Sequence, residues 1–175
     1  MSMGILSLFK KKQRPEDILK YVNENRGLLW EKIEEFSNQL NATGEFVTAG
    51  TDEMEEQFPT KHHFQDGLYT REVLMPKGSL VVSFIHKQSH PSFFMEGEMS
   101  ILSDTGEVKR IKAPMSIQTE IGTQRVAYMH EDVRWSCVYK TDKENIKDAM
   151  KEIYTLDYRE LPSSLIIKHL ELCQD

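Results

Sequence analysis

The sequence predicts a mainly β domain, a sandwich or barrel of short strands, with a helical arm before it and helices after it. Three observations carry that expectation. From residue 62 to 140, segments rich in Val, Ile, Phe and Tyr recur at a spacing of roughly ten residues, the rhythm of an all-β domain. Turn residues separate them, at Gln65-Asp66-Gly67, Pro76-Lys77-Gly78, Asp104-Thr105-Gly106, Ala113-Pro114, Ile121-Gly122-Thr123 and His130-Glu131-Asp132. Apolar residues paired at i and i+4, the helical period, are confined to the two ends. The chain therefore divides into a helical arm over 1–44, a β-barrel over 45–140 and a helical extension over 141–175.

The arm opens at Pro15-Glu16-Asp17, where proline suits the first helical position and the acids suit the positive end of the dipole. Ile18 with Val22, Leu29 with Ile33, and Phe36 with Leu40 then lay an apolar stripe along an amphipathic helix that reaches about residue 40. Asn25-Arg26-Gly27 is a break point within it. Too few clean heptads are present for a coiled coil, so the stripe, with Trp30, is expected to pack on the barrel or at a subunit contact. Asn41 to Gly44 ends the helix, residues 45–48 read as a short strand, and the acidic run Asp52 to Glu56 reads as solvated surface.

Strands follow at His63-Phe64 and Leu68 to Met75. Leu80, Val82, Phe84 and His86 alternate with Val81, Ser83 and Ile85, which predicts one strand ending at His86. Phe93 to Leu102, Val108 to Lys112, Ser116 to Glu120, Arg125 to Met129 and Arg134 to Tyr139 supply the remaining strands. Thr141-Asp142-Lys143-Glu144 has the form of a capping box, and Ile146, Ala149, Met150, Ile153 and Tyr154 give the apolar face of the helix after it. Leu161-Pro162 breaks the chain before a last short helix bearing Leu165, Ile166 and Leu170.

At 175 residues, 39% hydrophobic and 29% charged, the chain has the composition of one folded domain and not of a disordered segment. A net charge of -6 argues against a general nucleic-acid binder. No apolar run approaches the roughly 20 residues that span a bilayer. The opening Met1 to Lys12 places its charges after its apolar stretch, the reverse of a secretion signal, and Gly4 is misplaced for myristoylation. Two cysteines, Cys137 and Cys173, are expected as free thiols in a reducing, cytoplasmic setting. Cys137, between Trp135 and Tyr139, reads as a buried core thiol because nothing beside it would lower its pKa.

The residues that stand out chemically are His86 at a strand end and His90 just after it, two imidazoles that suit a metal or an anion. A zincin helix is excluded: Lys87 follows His86 where a glutamate is required, and the context is strand. His130 falls in a turn and is not counted with them. No Walker-type loop, dinucleotide fingerprint or nucleophile elbow is present in the sequence.

Proline and glycine before a histidine-bearing strand, then Glu96-Gly97, a proline turn and a second strand near Gly122, make residues 62–140 resemble the cupin superfamily. The resemblance implies a small jelly-roll barrel (double-stranded β-helix), in which three histidines and a glutamate hold a divalent metal. Aligned on Gly97, the ligand seats fall on Phe84, His86 and His90, and counting from Gly122 puts the last on Arg125. Phenylalanine cannot coordinate and arginine stays protonated, so the metal site reads as degenerate. The chain is also similar to small cupin-type proteins encoded by bacteriophages, through His86-Lys87-x-x-His90, Ala113-Pro114 and Glu131-Asp132-x-x-Trp135.

The resemblance thus implies a non-catalytic binding or assembly protein, phage-encoded or virion-associated, whose pocket is Phe84, His86, His90 and Arg125. The setting is then host cytoplasm or virion. The alternative is a metal-dependent enzyme acting on a small anionic metabolite. There Zn, Fe, Mn or Ni would sit on His86 and His90, with His62 or His63 completing the set and Arg125 clamping a carboxylate or phosphate. A homo-oligomer or a larger protein assembly is the expected partner, with no nucleic acid and no membrane span.

Overall fold

A computed structural model describes residues 29–41, 56–102 and 108–172. The expectations for Gly4 to Lys12, the helix start at Pro15, the Asn25-Arg26-Gly27 break, the strand at 45–48, the acidic residues 52–55, the turn at 104–106 and Cys173 lie outside those residues.

Helix α1 (Leu29–Asn41) precedes the strands β1 (Thr60–Gln65), β2 (Leu68–Met75), β3 (Leu80–Val82), β4 (Ile85–His86), β5 (His90–Glu96) and β6 (Glu98–Leu102). Next come β7 (Val108–Lys112), β8 (Met115–Thr119), β9 (Val126–Met129) and β10 (Val133–Lys140). The chain closes with α2 (Ile146–Ile153), β11 (Tyr154–Thr155), a 3₁₀ turn (Tyr158–Glu160) and α3 (Ser163–Leu172).

One sheet runs β1-β2-β10-β5-β8, a second runs β3-β9-β6-β7, and β4 pairs with β11 apart from both. The described pairings are antiparallel. Leaving out β1, β4 and β11, the strands fall into the orders 2-10-5-8 and 3-9-6-7, the two interlocked Greek keys of a jelly roll. The mainly β jelly roll expected from the sequence is therefore the observed architecture, with β1 added at one edge.

The alternation that predicted the strands also builds the core. In β2, Tyr69, Val73 and Met75 turn inward while Leu68 and Leu74 turn out. Trp135, Cys137 and Tyr139 of β10, Phe94 of β5, and Met99, Ile101, Ala127 and Met129 of the second sheet join them in one buried cluster. Fully burying a side chain of this size is worth about 1.5–3 kcal/mol. Cys137 is the buried core thiol expected, and it is free.

Four local expectations are corrected. The strand Leu80 to His86 breaks at Ser83-Phe84, because the Ser83 side chain takes over half of the backbone pairing with Arg125. The Ser83 backbone N–H donates to the Arg125 carbonyl at 2.8 Å, and its hydroxyl accepts from the Arg125 N–H at 2.8 Å while donating to the Phe84 carbonyl. The segment Phe93 to Leu102 is two strands, divided at Gly97. There φ is +94°, and a Cβ would sit 2.2 Å from the Asp132 carbonyl oxygen. Helix α2 is capped by Asn145, whose side chain accepts from the Asp148 N–H at 2.9 Å, and not by Thr141. The Thr141 hydroxyl instead accepts from the Lys143 N–H and donates to Glu152. Finally, α2 ends at Ile153, so Tyr154 is extended and begins β11 instead of continuing the helical face.

Among the described residues, α1 and the segment after β11 pack together beside Gly122. Trp30 of α1 is buried, stacks on Tyr158 at 5.6 Å and donates its indole N–H to the Gly122 carbonyl at 2.8 Å. Tyr158 donates to Glu31 at 3.0 Å. A Cβ on Gly122, at φ +85°, would lie 2.8 Å from Leu165 and 3.1 Å from Trp30, which keeps this joint to glycine. No described helix is long and apolar enough to cross a membrane.

Candidate functional site

Between the two sheets lies a cavity of about 370 Å³. Its wall is mostly apolar, with Val73, Met75, Met99, Ile101, Met129 and Trp135 among the lining side chains. Polar side chains interrupt it, and their positions follow from the elements that carry them.

His86 closes β4. Its N–H donates to the Thr123 carbonyl at 3.0 Å, its carbonyl accepts from the Gly122 N–H at 2.7 Å, and Tyr154 of β11 is its ladder partner. Held on two sides, the ring is only 6% exposed. The His90 ring, 2% exposed, lies 4.7 Å from it between centroids and 4.2 Å from Tyr139. His90 Nδ1–H donates to the Gln88 carbonyl at 3.2 Å, which leaves Nε2 as an acceptor, buried and without a hydrogen-bond partner among the described residues. Tyr139 and Tyr154 meet hydroxyl to hydroxyl at 2.5 Å, and the Tyr139 oxygen is 3.4 Å from His86 Nδ1.

Arg125, fixed by the Ser83 contacts, donates to the Thr119 hydroxyl at 3.1 Å and lies 5.9 Å over the Trp135 ring. Gln124 beside it donates Nε2–H to the Ser83 carbonyl at 3.2 Å, leaving its Oε1 buried and without a partner among the described residues. Phe84 lines the cavity and packs at 5.1 Å on Tyr154. Arg71, on the inward face of β2 with Tyr69 and Val73, also lines it, and its Nε–H is buried with no hydrogen-bond partner among the described residues. A buried polar group left unpaired costs about 1–3 kcal/mol, more when charged.

Electrostatics push the neutral forms. Burial lowers the His86 pKa to about 2, with His90, Arg125 and Arg71 adding to the fall. Burial lowers His90 to about 4; the Gln88 carbonyl resists and Arg125 assists. Burial raises both phenols far above their ordinary value. At neutral pH the lasting charges beside these rings are the guanidinium groups.

Of the residues singled out in the sequence, Phe84, His86 and Arg125 line the cavity, and His90 stands behind His86, packed against its ring. His62 and His63 do not join them. His62 Nδ1 pairs with the Tyr69 hydroxyl at 2.7 Å, and His63, alternating with it along β1, is exposed. Among the described residues no group of three or more His, Cys, Asp or Glu converges as a metal site. The metal that the sequence resemblance implies thus meets two imidazoles and two guanidinium groups, and the residues present do not fit it. Sequence reasoning missed Arg71, Gln124, Tyr139 and Tyr154. The signal for Arg71 was its parity: it shares a face with Tyr69, Val73 and Met75, where a charge is out of place.

No protein-family model matches the chain, and no curated protein matches it. Solved structures do. An ectoine synthase from P. lautus is 16% identical over 46% of this chain, with a TM-score of 0.41, and the match spans 62% of the synthase, less than two thirds of its length. The cupin_2 domain of an XRE family transcriptional regulator from Enterobacter cloacae is 14% identical over 50% of this chain and 99% of that domain, with a TM-score of 0.41. An acetylacetone dioxygenase from Acinetobacter johnsonii is 13% identical over 55% of this chain and 74% of its own, with a TM-score of 0.40.

Proposed function

We propose that this chain is a non-catalytic binding barrel, which holds a small organic molecule in the cavity between its sheets. The observation that carries the reading is the state of the titratable groups. A general acid or base works best with a pKa near the working pH. Here His86 and His90 are driven down to about 2 and 4 and both tyrosines are driven up, so each is fixed in its neutral form. A mostly apolar cavity of about 370 Å³ with a few placed polar groups is the usual form of a small-molecule site.

The test uses the cavity itself. Calorimetry and thermal shift with a panel of compact aromatic and aliphatic molecules are expected to reveal ligands of the wild type. Ala127→Phe, which fills the cavity from β9, is expected to weaken them at least tenfold while the protein stays folded. Ligands that bind the filled variant as well as the wild type would place binding elsewhere and end this reading.

Assembly is the second part of the proposal, supported by apolar side chains on the outer face of the five-stranded sheet. Leu74 and Phe93, 39% and 38% exposed, alternate with the inward Val73, Met75 and Phe94. A pair of copies joined through this face is the expected form, and light scattering on Phe93→Lys against wild type tests it, an unchanged mass counting against it. A bacteriophage association rests on the narrower sequence resemblance alone.

A further inference from the structure

Two polar atoms of opposite character have no partner among the described residues in the wall of the same cavity. Arg71 Nε–H is a buried donor with a fixed positive charge, and Gln124 Oε1 is a buried acceptor. The orientation of the Gln124 amide is set by its Nε2–H bond to the Ser83 carbonyl, so the oxygen is the free end. The outer side of β2 offers Arg71 no relief. Glu72, its neighbour, alternates to the other face, where it lies 3.9 Å from Lys61 and 3.8 Å from Arg134. Among the described lining residues the one carboxylate is Glu34 of α1, and it lies 3.7 Å from Arg159. Arg125 adds a second guanidinium to the same wall, and its charge and that of Arg71 both act on the His86 ring.

A cavity with this wall is complementary to a molecule that brings an anionic acceptor, one donor and an apolar body. We propose that the barrel takes a hydroxylated organic acid, its carboxylate on Arg71, its hydroxyl donating to Gln124 Oε1 and its body among Phe84 and Trp135. A guanidinium and a carboxylate make the charge-assisted, forked contact that an uncharged isostere cannot. A pocket built to pair a hydroxyl discriminates against the analogue lacking it, because its own acceptor then stays unpaired. This inference rests on the binding reading above and names the ligand class for that site.

The experiment compares three probes by calorimetry on the full chain at pH 7.5: 2-hydroxy-4-phenylbutyrate, 4-phenylbutyrate and 4-phenylbutanamide. The hydroxy acid is expected to bind more tightly than the plain acid, and the acid at least tenfold more tightly than the amide. Arg71→Met should abolish the preference for acid over amide, and Gln124→Met should abolish the preference for the hydroxy acid. Equal affinity of acid and amide for the wild type, or an acid preference that survives Arg71→Met, would overturn the carboxylate site and leave the cavity reading standing. Binding by none of the three, together with no ligand in the wider panel, would remove the cavity reading as well. Should a variant fail to fold, the wild-type ratio of acid to amide decides the matter.

Discussion

Acid should unfold this protein through its two buried imidazoles, and the effect has a computable size. In the folded state His90 titrates at about 4 and His86 at about 2, against an ordinary 6.5 for the unfolded chain. The folded pKa values are depressed, so below pH 6.5 the unfolded chain binds protons that the folded one refuses. Stability from this source is complete above pH 6.5 and is lost as the pH falls toward the folded values. Each pH unit removes about 1.4 kcal/mol per histidine. Between pH 7.5 and 4.5 each ring then removes about 2.5 kcal/mol, and the pair on the order of 5 kcal/mol, a large share of the stability of an ordinary domain. Urea unfolding followed by the fluorescence of the buried Trp30 and Trp135 measures this directly. The double variant His86→Gln, His90→Gln should show a stability slope between pH 6 and 5 that is flatter than wild type by about two protons. Parallel slopes for wild type and variant would refute the reasoning, since the acid sensitivity would then lie in the carboxylates.

Three smaller predictions concern the frame around the pocket. Gly97→Ala should cost more than about 2 kcal/mol in chemical denaturation, because a Cβ 2.2 Å from the Asp132 carbonyl at φ +94° forces backbone to move. Asn145→Ala should cost about 1 kcal/mol as a lost helix cap, and Glu144→Ala, in the expected capping box, should cost much less. Trp30→Phe should cost about 1–3 kcal/mol, leaving the buried Gly122 carbonyl without its indole donor, and should loosen α1 in hydrogen exchange before the barrel.

The alternation in Leu68 to Met75 and in Arg134 to Tyr139 made those strands legible, because each has one wet face and one dry face. Proximity of His86 and His90 was legible too, being local in the chain. What escaped depends on partners far away in sequence. Ser83 ends its strand because its hydroxyl, and not its carbonyl, accepts from the N–H of Arg125, 42 residues later. Tyr154 reads as part of a helical face until His86 offers it a strand. Thr141 and Glu144 have the spacing of a capping box, but Asn145 caps the helix and Thr141 finds Glu152. Arg71 lies outside any ligand seat counted from Gly97 or Gly122, and its meaning lies in sharing a face with Tyr69 and Val73. The metal set could be doubted from Phe84 and Arg125 alone. That His62 is engaged by Tyr69 and that His63 faces outward required the register of β1 on β2.

The most direct measurement is a crystal structure of the protein soaked with 2-hydroxy-4-phenylbutyrate and a Zn salt together. The account predicts the carboxylate against Arg71, the hydroxyl on Gln124, the phenyl ring among Phe84 and Trp135, and no metal at the imidazoles. A zinc ion coordinated by His86 and His90, with the acid absent from the cavity, would contradict it.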